Sequence, residues 1–322
     1  MTAPNIVGSA DIMQNIRLDQ PLIDAVEMAF VRHSSGRAQA PPVAQIAVAE
    51  SGGQTCVKGG YFPGDSHFVF KLASNFPGNS DSGRSVTGGF MAVIQADSGQ
   101  VETLLLDNGY LTALRTAAAG AVASKHLART DATTVSIIGA GLQARLQLEA
   151  LLFVRPVKKV KVWARSVDAA REFAREMSEQ HDIRVTATNC LEDAVRDTHI
   201  IITTTPSRRP LIEARWLHPG VHITAMGSDS PGKGELFPEV FEMADYLFCD
   251  SLSQSQTLGE YQRATALDTP EPVELGKIIP TTSAFARRSN DITVCDLSGI
   301  GLQDTAIALH ARNRFAKTSI QN

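Results

Sequence analysis

Three groups of residues in this chain have the types and spacing to do chemistry. The first is the GxGxxA run Gly139-Ala140-Gly141-Leu142-Gln143-Ala144. In such a run the first glycine permits a tight turn out of a strand, and the second lets the backbone approach a pyrophosphate held at a helix N-terminus. The second group is a set of cations in apolar settings: Lys58 in CVKGGY, Lys71 in FVFKLAS and Arg115 in LTALRTAAAG. An unpaired buried cation is costly, so each needs a partner. That partner is either an internal acid or the carboxylate of a ligand, which Arg115 could hold bidentately; a side chain that snorkels to the surface needs neither. The third is Asp229 in AMGSDSPGKGEL. It is a general acid or base if burial raises its pKa, and otherwise a capping residue, because Ser-Asp-Ser-Pro-Gly is ordinary turn chemistry.

The elements that must position these groups read in two styles. From about residue 133, apolar β-branched runs at 133–139, 158–164, 183–188, 199–205, 221–227, 245–250 and 291–297 alternate with segments of helical period. That alternation predicts βαβ units and, with right-handed crossovers, a doubly wound parallel Rossmann sheet. Ser166 and Asn189 stand where helix N-caps belong. The glycine run follows the first of these strands, opens an amphipathic helix and precedes a second strand, so it predicts a site for NAD(H) or NADP(H). Leu142, Gln143 and Ala144 start the helix under the pyrophosphate. At the end of the second strand, where a carboxylate would grip the ribose of NAD, stand Trp163-Ala164-Arg165-Ser166. Arg165 and Ser166 suit a 2'-phosphate and favour NADP(H), although Arg165 could equally stack on adenine or pair with a surface acid. Thr204 lies near the end of the fourth strand, and Met226-Gly227-Ser228 at the end of the fifth. Ligands of open α/β sheets bind at such ends, so these residues join the expected cofactor contacts.

The first 115 residues look different. Residues 20–34 have helical spacing, whereas 42–106 carry short alternating runs broken by Gly, Asn, Asp and Pro, predicting a mostly antiparallel sheet with one helix. An alanine-rich helix over about 112–127 leads into the Rossmann half, and a last helix over about 303–317 is expected to pack back on the first domain. The expected division is therefore a discontinuous α+β domain, 1–116 with 303–322, and a dinucleotide-binding domain, 117–302.

Composition narrows the partners. The 322 residues include 34 acidic and 30 basic side chains, for a net charge of -4, without the basic stripe that nucleic acid requires. The four cysteines lie far apart and form no CxxC, which argues against a disulfide framework and a zinc site. Neither HExxH nor GxSxG occurs. No apolar run approaches the ~20 residues of a membrane span and the start lacks a signal-peptide pattern, so a cytoplasmic protein with a small-molecule substrate is expected.

Five motifs occur together in order: KLASNFPGN at 71–79, DNGYLTALRTAAAG at 107–120, IIGAGLQA at 137–144, AMGSDSPGKGEL at 225–236 and DLSGIGLQDTA at 296–306. With them the chain resembles the ornithine cyclodeaminase and mu-crystallin family over essentially its whole length, and looks closest to its ectoine-utilisation cyclodeaminase-like subgroup. The resemblance implies a homodimer formed through the antiparallel domain, with NAD(H) or NADP(H) on the Rossmann domain. It also implies roles: Lys71 and Arg115 take the substrate carboxylate, with Lys71 also near the reacting nitrogen; Thr116 touches the cofactor; Asp229 is the acid-base residue. The shared chemistry is hydride transfer at a nitrogen-bearing carbon, the cofactor supplying the hydride. Two departures bear on substrate. A Pro-x-Arg usual in cyclodeaminases is replaced by Pro41-Pro42-Val43-Ala44-Gln45, leaving Arg37 as the nearest substitute. A Gly-Leu-Pro becomes Gly83-Arg84-Ser85, so Arg84 or Lys58 either meets a second acidic group, as in iminosuccinate, or Arg84 is a solvated loop residue. The leading expectation is an NAD(P)-dependent imine or ketimine reductase acting on a small amino or imino acid. Ornithine-type cyclodeamination is the alternative, and a crystallin-like protein binding NADPH and a small ligand without turnover is the third.

Overall fold

A computed structural model describes residues 3–280 and 285–318 of the chain. In chain order the first elements are β1 (Asn5–Val7), α1 (Ser9–Asn15), α2 (Gln20–Ser34), β2 (Ala44–Val48), β3 (Gly53–Tyr61), β4 (His67–Asn75), β5 (Thr87–Gln95), β6 (Val101–Leu105) and α3 (Tyr110–Leu127). Next come β7 (Thr134–Ile138), α4 (Leu142–Leu152), β8 (Lys159–Trp163), α5 (Val167–His181), β9 (Arg184–Thr188), α6 (Leu191–Val195), β10 (Ile200–Thr203) and β11 (His222–Ala225). The chain ends with α7 (Glu239–Met243), β12 (Tyr246–Cys249), α8 (Leu252–Ser255), β13 (Val273–Glu274), α9 (Leu275–Ile278), β14 (Thr293–Asp296) and α10 (Gly301–Thr318). These elements cluster into two units, Met1–Arg115 with Ile300–Asn322, and Thr116–Gly299.

In the first unit the strands run β1-β6-β5-β4-β3-β2, antiparallel throughout except that β1 lies parallel to β6. Side chains alternate between faces, as the strand period requires. Val69, Met91, Val93 and Leu105 point into the core with no exposure, on the face where α10 packs across β3, β4 and β5 and against α2. Helix α2 is started by Asp19, whose carboxylate accepts the Leu22 N–H at 2.9 Å, and buries Leu22, Ile23, Val26, Ala29 and Phe30 along one side. The opposite face of the sheet carries Tyr61, Phe68, Phe70 and Ile46; Phe70 is 40% and Ile46 67% exposed. Helix α1 is an addition to the single early helix that periodicity indicated.

In the second unit eight strands run β13-β12-β14-β11-β10-β7-β8-β9, all parallel. The central strands β10, β11 and β14 are buried at every position, as strands covered on both faces must be. The chain moves outward to β8 and β9 on one side of β7 and outward from β10 on the other, so the switch point of this doubly wound sheet lies between β7 and β10. Ser166 caps α5 by accepting the Ala169 N–H. Asn189 does not cap α6: the N-cap is Cys190, which makes no side-chain cap bond, and Asn189 is an exposed bend residue beside it. Thr188 Oγ1 takes the Cys190 N–H at 3.1 Å and so sets the turn where Asn189 was expected to. No helix among the described residues is long and apolar enough to cross a membrane.

Candidate active site

The register of the first sheet brings the cations together. Lys58 lies directly opposite Lys71 in the β3–β4 ladder, on the face covered by α10. Lys71 Nζ is 2.6 Å from Asp304 Oδ2, and Arg115 Nε donates to Asp304 Oδ1 at 2.9 Å. Arg115 Nη1 also donates to Gln303 Oε1 at 3.1 Å. Both Gln303 and Asp304 come from the first turn of α10 and are fully buried. The partner that Lys71 and Arg115 require is thus an internal acid. Burial, reinforced by Arg115 and Lys58 and opposed by Asp304, lowers the Lys71 ammonium to about 8. Burial would raise the Asp304 carboxyl, but Lys71, Arg115 and Lys58 outweigh it and hold that group below the usual carboxylate range. Asp107, whose Oδ2 accepts the Leu111 N–H in the first turn of α3, is the next acid, and burial raises it. Three cations thus gather around the buried Asp304 carboxylate, Lys71 and Arg115 buried and Lys58 half-buried. That is what binding a substrate carboxylate demands. Arg84 stands apart from this arrangement as an exposed loop residue whose Nε donates to Ser82 Oγ at 2.9 Å. Arg37 is exposed as well.

The glycine turn is built as its chemistry needs. Gly139 has φ +120°, a region that favours glycine, and a Cβ there would stand 2.4 Å from Thr204 Oγ1. Gly141 is the N-cap of α4 with no side chain capping the helix, and a Cβ on it would meet nothing within 4 Å. The helix therefore presents first-turn amides and the positive end of its dipole to open space, an arrangement suited to a phosphate. Ala144 is fully buried against the sheet. A cleft of about 730 Å³ adjoins this turn, lined by Gly139, Ala140 and Gly141, by Trp163, Arg165 and Ser166 at the end of β8, and by Thr204 through Arg209 after β10. Leu142 is exposed and Gln143 half-buried at the start of α4.

The loop after β11 is more self-contained. Met226 packs into the apolar cluster of the β7–β8 side. Ser228 is buried, its hydroxyl shared between the carbonyls of Lys233 and Leu258. Asp229 accepts a 2.6 Å bond from Lys233 and its side chain is 54% exposed, so the burial that would mark it as a tuned acid is not present. The Thr116 carbonyl accepts from Gln147 Nε2 at 2.9 Å.

Sequence reasoning passed over several residues at these sites. Asp304 and Gln303 sit inside a quoted motif, yet nothing local announces that they meet Lys71 and Arg115. Arg145 donates to the carbonyls of Ala140 and Gly141 while its other nitrogens hold Glu176 at 2.9 and 2.7 Å, bracing the glycine turn from behind. Arg208 and Arg209 add charge to the cleft. Among the described residues no group of three or more His, Cys, Asp or Glu is arranged to hold a metal ion.

The profile of the ornithine cyclodeaminase/mu-crystallin family matches residues 3–319. The chain belongs to this family. It is 41% identical to an uncharacterized cyclodeaminase of Sinorhizobium fredii over 99% of this chain and 98% of that one. Among solved structures it is similar to an archaeal alanine dehydrogenase dimer with bound NAD (TM-score 0.91, 30% identity, 98% and 97% of the two chains). It is similar also to the Thermococcus litoralis Δ1-pyrroline-2-carboxylate reductase with NADH and L-proline (0.91, 26%, 98% and 98%). The Paracoccus denitrificans iminosuccinate reductase with NAD+ matches to the same extent (0.91, 27%, 98% and 98%). The family match runs through both units, so the cation cluster and the glycine turn both fall inside it.

Proposed function

We propose that this member of the family is an NAD(P)H-dependent reductase of a small imino acid. The observation that carries the reading is the clustering of Lys58, Lys71 and Arg115 about the buried Asp304, with Lys71 lowered to about 8. A group with that pKa is charged enough near neutrality to bind a carboxylate, and close enough to neutrality to exchange a proton with an imine nitrogen. The second unit supplies the fold, glycine turn and cleft for a dinucleotide, and the similar reductases and alanine dehydrogenase carry NAD or NADH. When bound, the nicotinamide supplies or removes a hydride. Arg115 orients the carboxylate, Lys71 binds it and faces the nitrogen, and Asp229, exposed and held by Lys233, takes up the amine-side proton once that pair opens. The residues named for the cofactor are Gly139, Gly141 and the amides of Leu142, Gln143 and Ala144 for the pyrophosphate, with Thr116, Thr204, Met226, Gly227 and Ser228 toward the nicotinamide.

NADP(H) is the preferred form in this reading. No carboxylate ends β8, Arg165 lines the cleft there, and Arg209 lines it from the β10 side. Ser166 spends a lone pair on the Ala169 N–H but keeps its hydroxyl proton for a phosphate oxygen. The active form is a homodimer joined through the sheet face bearing Phe68, Phe70 and Ile46, which a monomer would leave half exposed. The deciding assay follows nicotinamide absorbance with each reduced cofactor and imines formed from glyoxylate, pyruvate, oxaloacetate or cyclic ketimines, with ornithine and oxidised cofactor alongside. Net oxidation of cofactor by one imine is the expected result and names the substrate class. Proline and ammonia without net cofactor change would make the protein a cyclodeaminase instead, and cofactor binding with no turnover on any substrate would make it a binding protein.

A further inference from the structure

Among the buried carboxyl groups of the second unit, Glu235 and Glu260 accept from backbone amides, and neither is used in the chemistry above. Glu235 Oε1 accepts both the N–H and the hydroxyl of Thr205 at 2.6 Å, and its Oε2 accepts the Gly227 N–H at 2.9 Å. Thr205 lies in the loop after β10 that walls the cleft, and Gly227 lies in the loop after β11 that carries Asp229. One side chain therefore spans the loops leaving two adjacent strands.

Glu235 is itself held on every side. Its carbonyl accepts the N–H groups of Leu211 and Ile212 at 2.6 and 2.9 Å, at the far end of the same β10 loop. Its N–H and that of Leu236 donate to the Glu260 carboxyl. The fit leaves no slack: a Cβ on Gly227 would stand 2.3 Å from Glu235 Oε2 and 2.2 Å from the Thr205 carbonyl. The glycine at 227 is thus a space requirement of the clamp. Burial raises the Glu235 carboxyl while its donors from Thr205 and Gly227 work against that rise.

We propose that Glu235 is a positioning residue for the reaction, its carboxylate fixing the separation between the cleft wall at Thr204–Leu211 and the loop that bears Asp229. The inference rests on the reading that the cleft takes a nicotinamide dinucleotide and that Asp229 handles the proton. A carboxylate suits the role because it accepts at both oxygens. Glu235→Gln keeps the volume and the bonds to Thr205 but turns an N–H donor toward the Gly227 N–H, releasing the Asp229 loop and sparing the cleft wall.

The test compares wild type with Glu235→Gln by thermal unfolding, by titration with reduced cofactor read as nicotinamide fluorescence, and by kcat at saturating cofactor. The expected result is a folded variant whose kcat falls by ~30-fold or more, the scale on which small misplacements act, while cofactor Kd rises by no more than about threefold, because the pyrophosphate and ribose contacts away from the Gly227 loop hold most of the cofactor. A kcat that stays near the wild-type value, or a kcat and a Kd that worsen together, overturns the clamp. Should Glu235→Gln fail to fold, Thr205→Val decides: it removes one donor to Glu235, and kcat at saturation must fall and be restored by Thr205→Ser. An unchanged Thr205→Val overturns the clamp equally. Wild-type protein that neither binds reduced cofactor nor turns over an imine refutes the underlying functional reading, and this inference with it.

Discussion

Lys71 carries a charge that its surroundings resist, and that tension makes it testable. Its ammonium titrates at about 8 in the fold against 10.5 in water, so the protonated form that binds a carboxylate is lost as pH rises through about 8. We expect kcat/KM for the imino acid, which reports the free enzyme, to fall above that pH, and Lys71→Arg, which stays charged, to abolish the fall at the cost of a lower plateau. The same shift acts on stability with the opposite sense. Between about 8 and 10.5 the unfolded chain holds the proton and the fold does not, so the Lys71 contribution to stability rises with pH. Asp304 is the counterpart: Asp304→Asn leaves Lys71 and Arg115 buried without their shared anion, and thermal or denaturant unfolding is expected to show a loss of roughly 3–5 kcal/mol. Arg165 tests the cofactor form. Its replacement by alanine is expected to raise KM for NADPH by ~10- to 100-fold, the value of a charged hydrogen bond of about 1.5–3 kcal/mol, while KM for NADH barely moves; equal effects on both would remove the argument for a 2'-phosphate site.

At the scale of elements, α4 is the clearest case of a local sequence serving a ligand. Because a Cβ on Gly141 meets nothing within 4 Å, Gly141→Ala is expected to leave thermal stability nearly unchanged, yet to weaken binding of either cofactor by ~10-fold or more as the methyl enters the space of the pyrophosphate. Unaltered affinity in a titration would show that nothing approaches that turn. The strands of the second unit were legible because buried parallel strands are short runs of β-branched residues, such as Ile200–Thr203. Two strands were not. β1 and β13 have three and two residues, too few for any period to show, and β1 owes its existence to β6, far along the chain. The cap of α6 was misread because Asn189 and Thr188 both fit the chemistry of a turn, and the threonine hydroxyl, one residue earlier, reaches the Cys190 amide.

For the whole molecule, the legible part was what neighbours in sequence decide. The doubly wound sheet and the glycine turn follow from local periods and turn chemistry. The pairing of Lys71 and Arg115 with Asp304 was not readable, since it joins β4, α3 and α10, and a lone aspartate in a polar-looking helix start has the pattern of a surface residue. Glu235 and Glu260 were hidden for the same reason. The assembly can be tested at the exposed face: Phe70→Glu places a charge beside Phe68 and Tyr61 and is expected to shift the protein from dimer to monomer in sedimentation, with the fold retained. A wild-type chain that already sediments as a monomer would dispose of the dimer.

The return of α10 also has a consequence for how the protein is made. The ribosome releases Lys71 and Arg115 early, then all of Thr116–Gly299, and only afterwards Asp304. At about 5–20 residues per second the two cations wait roughly 10–40 s for their anion. The second unit, contiguous in the chain, can complete its sheet during that interval. The first unit cannot, because the helix that packs across β3, β4 and β5 is the last element made.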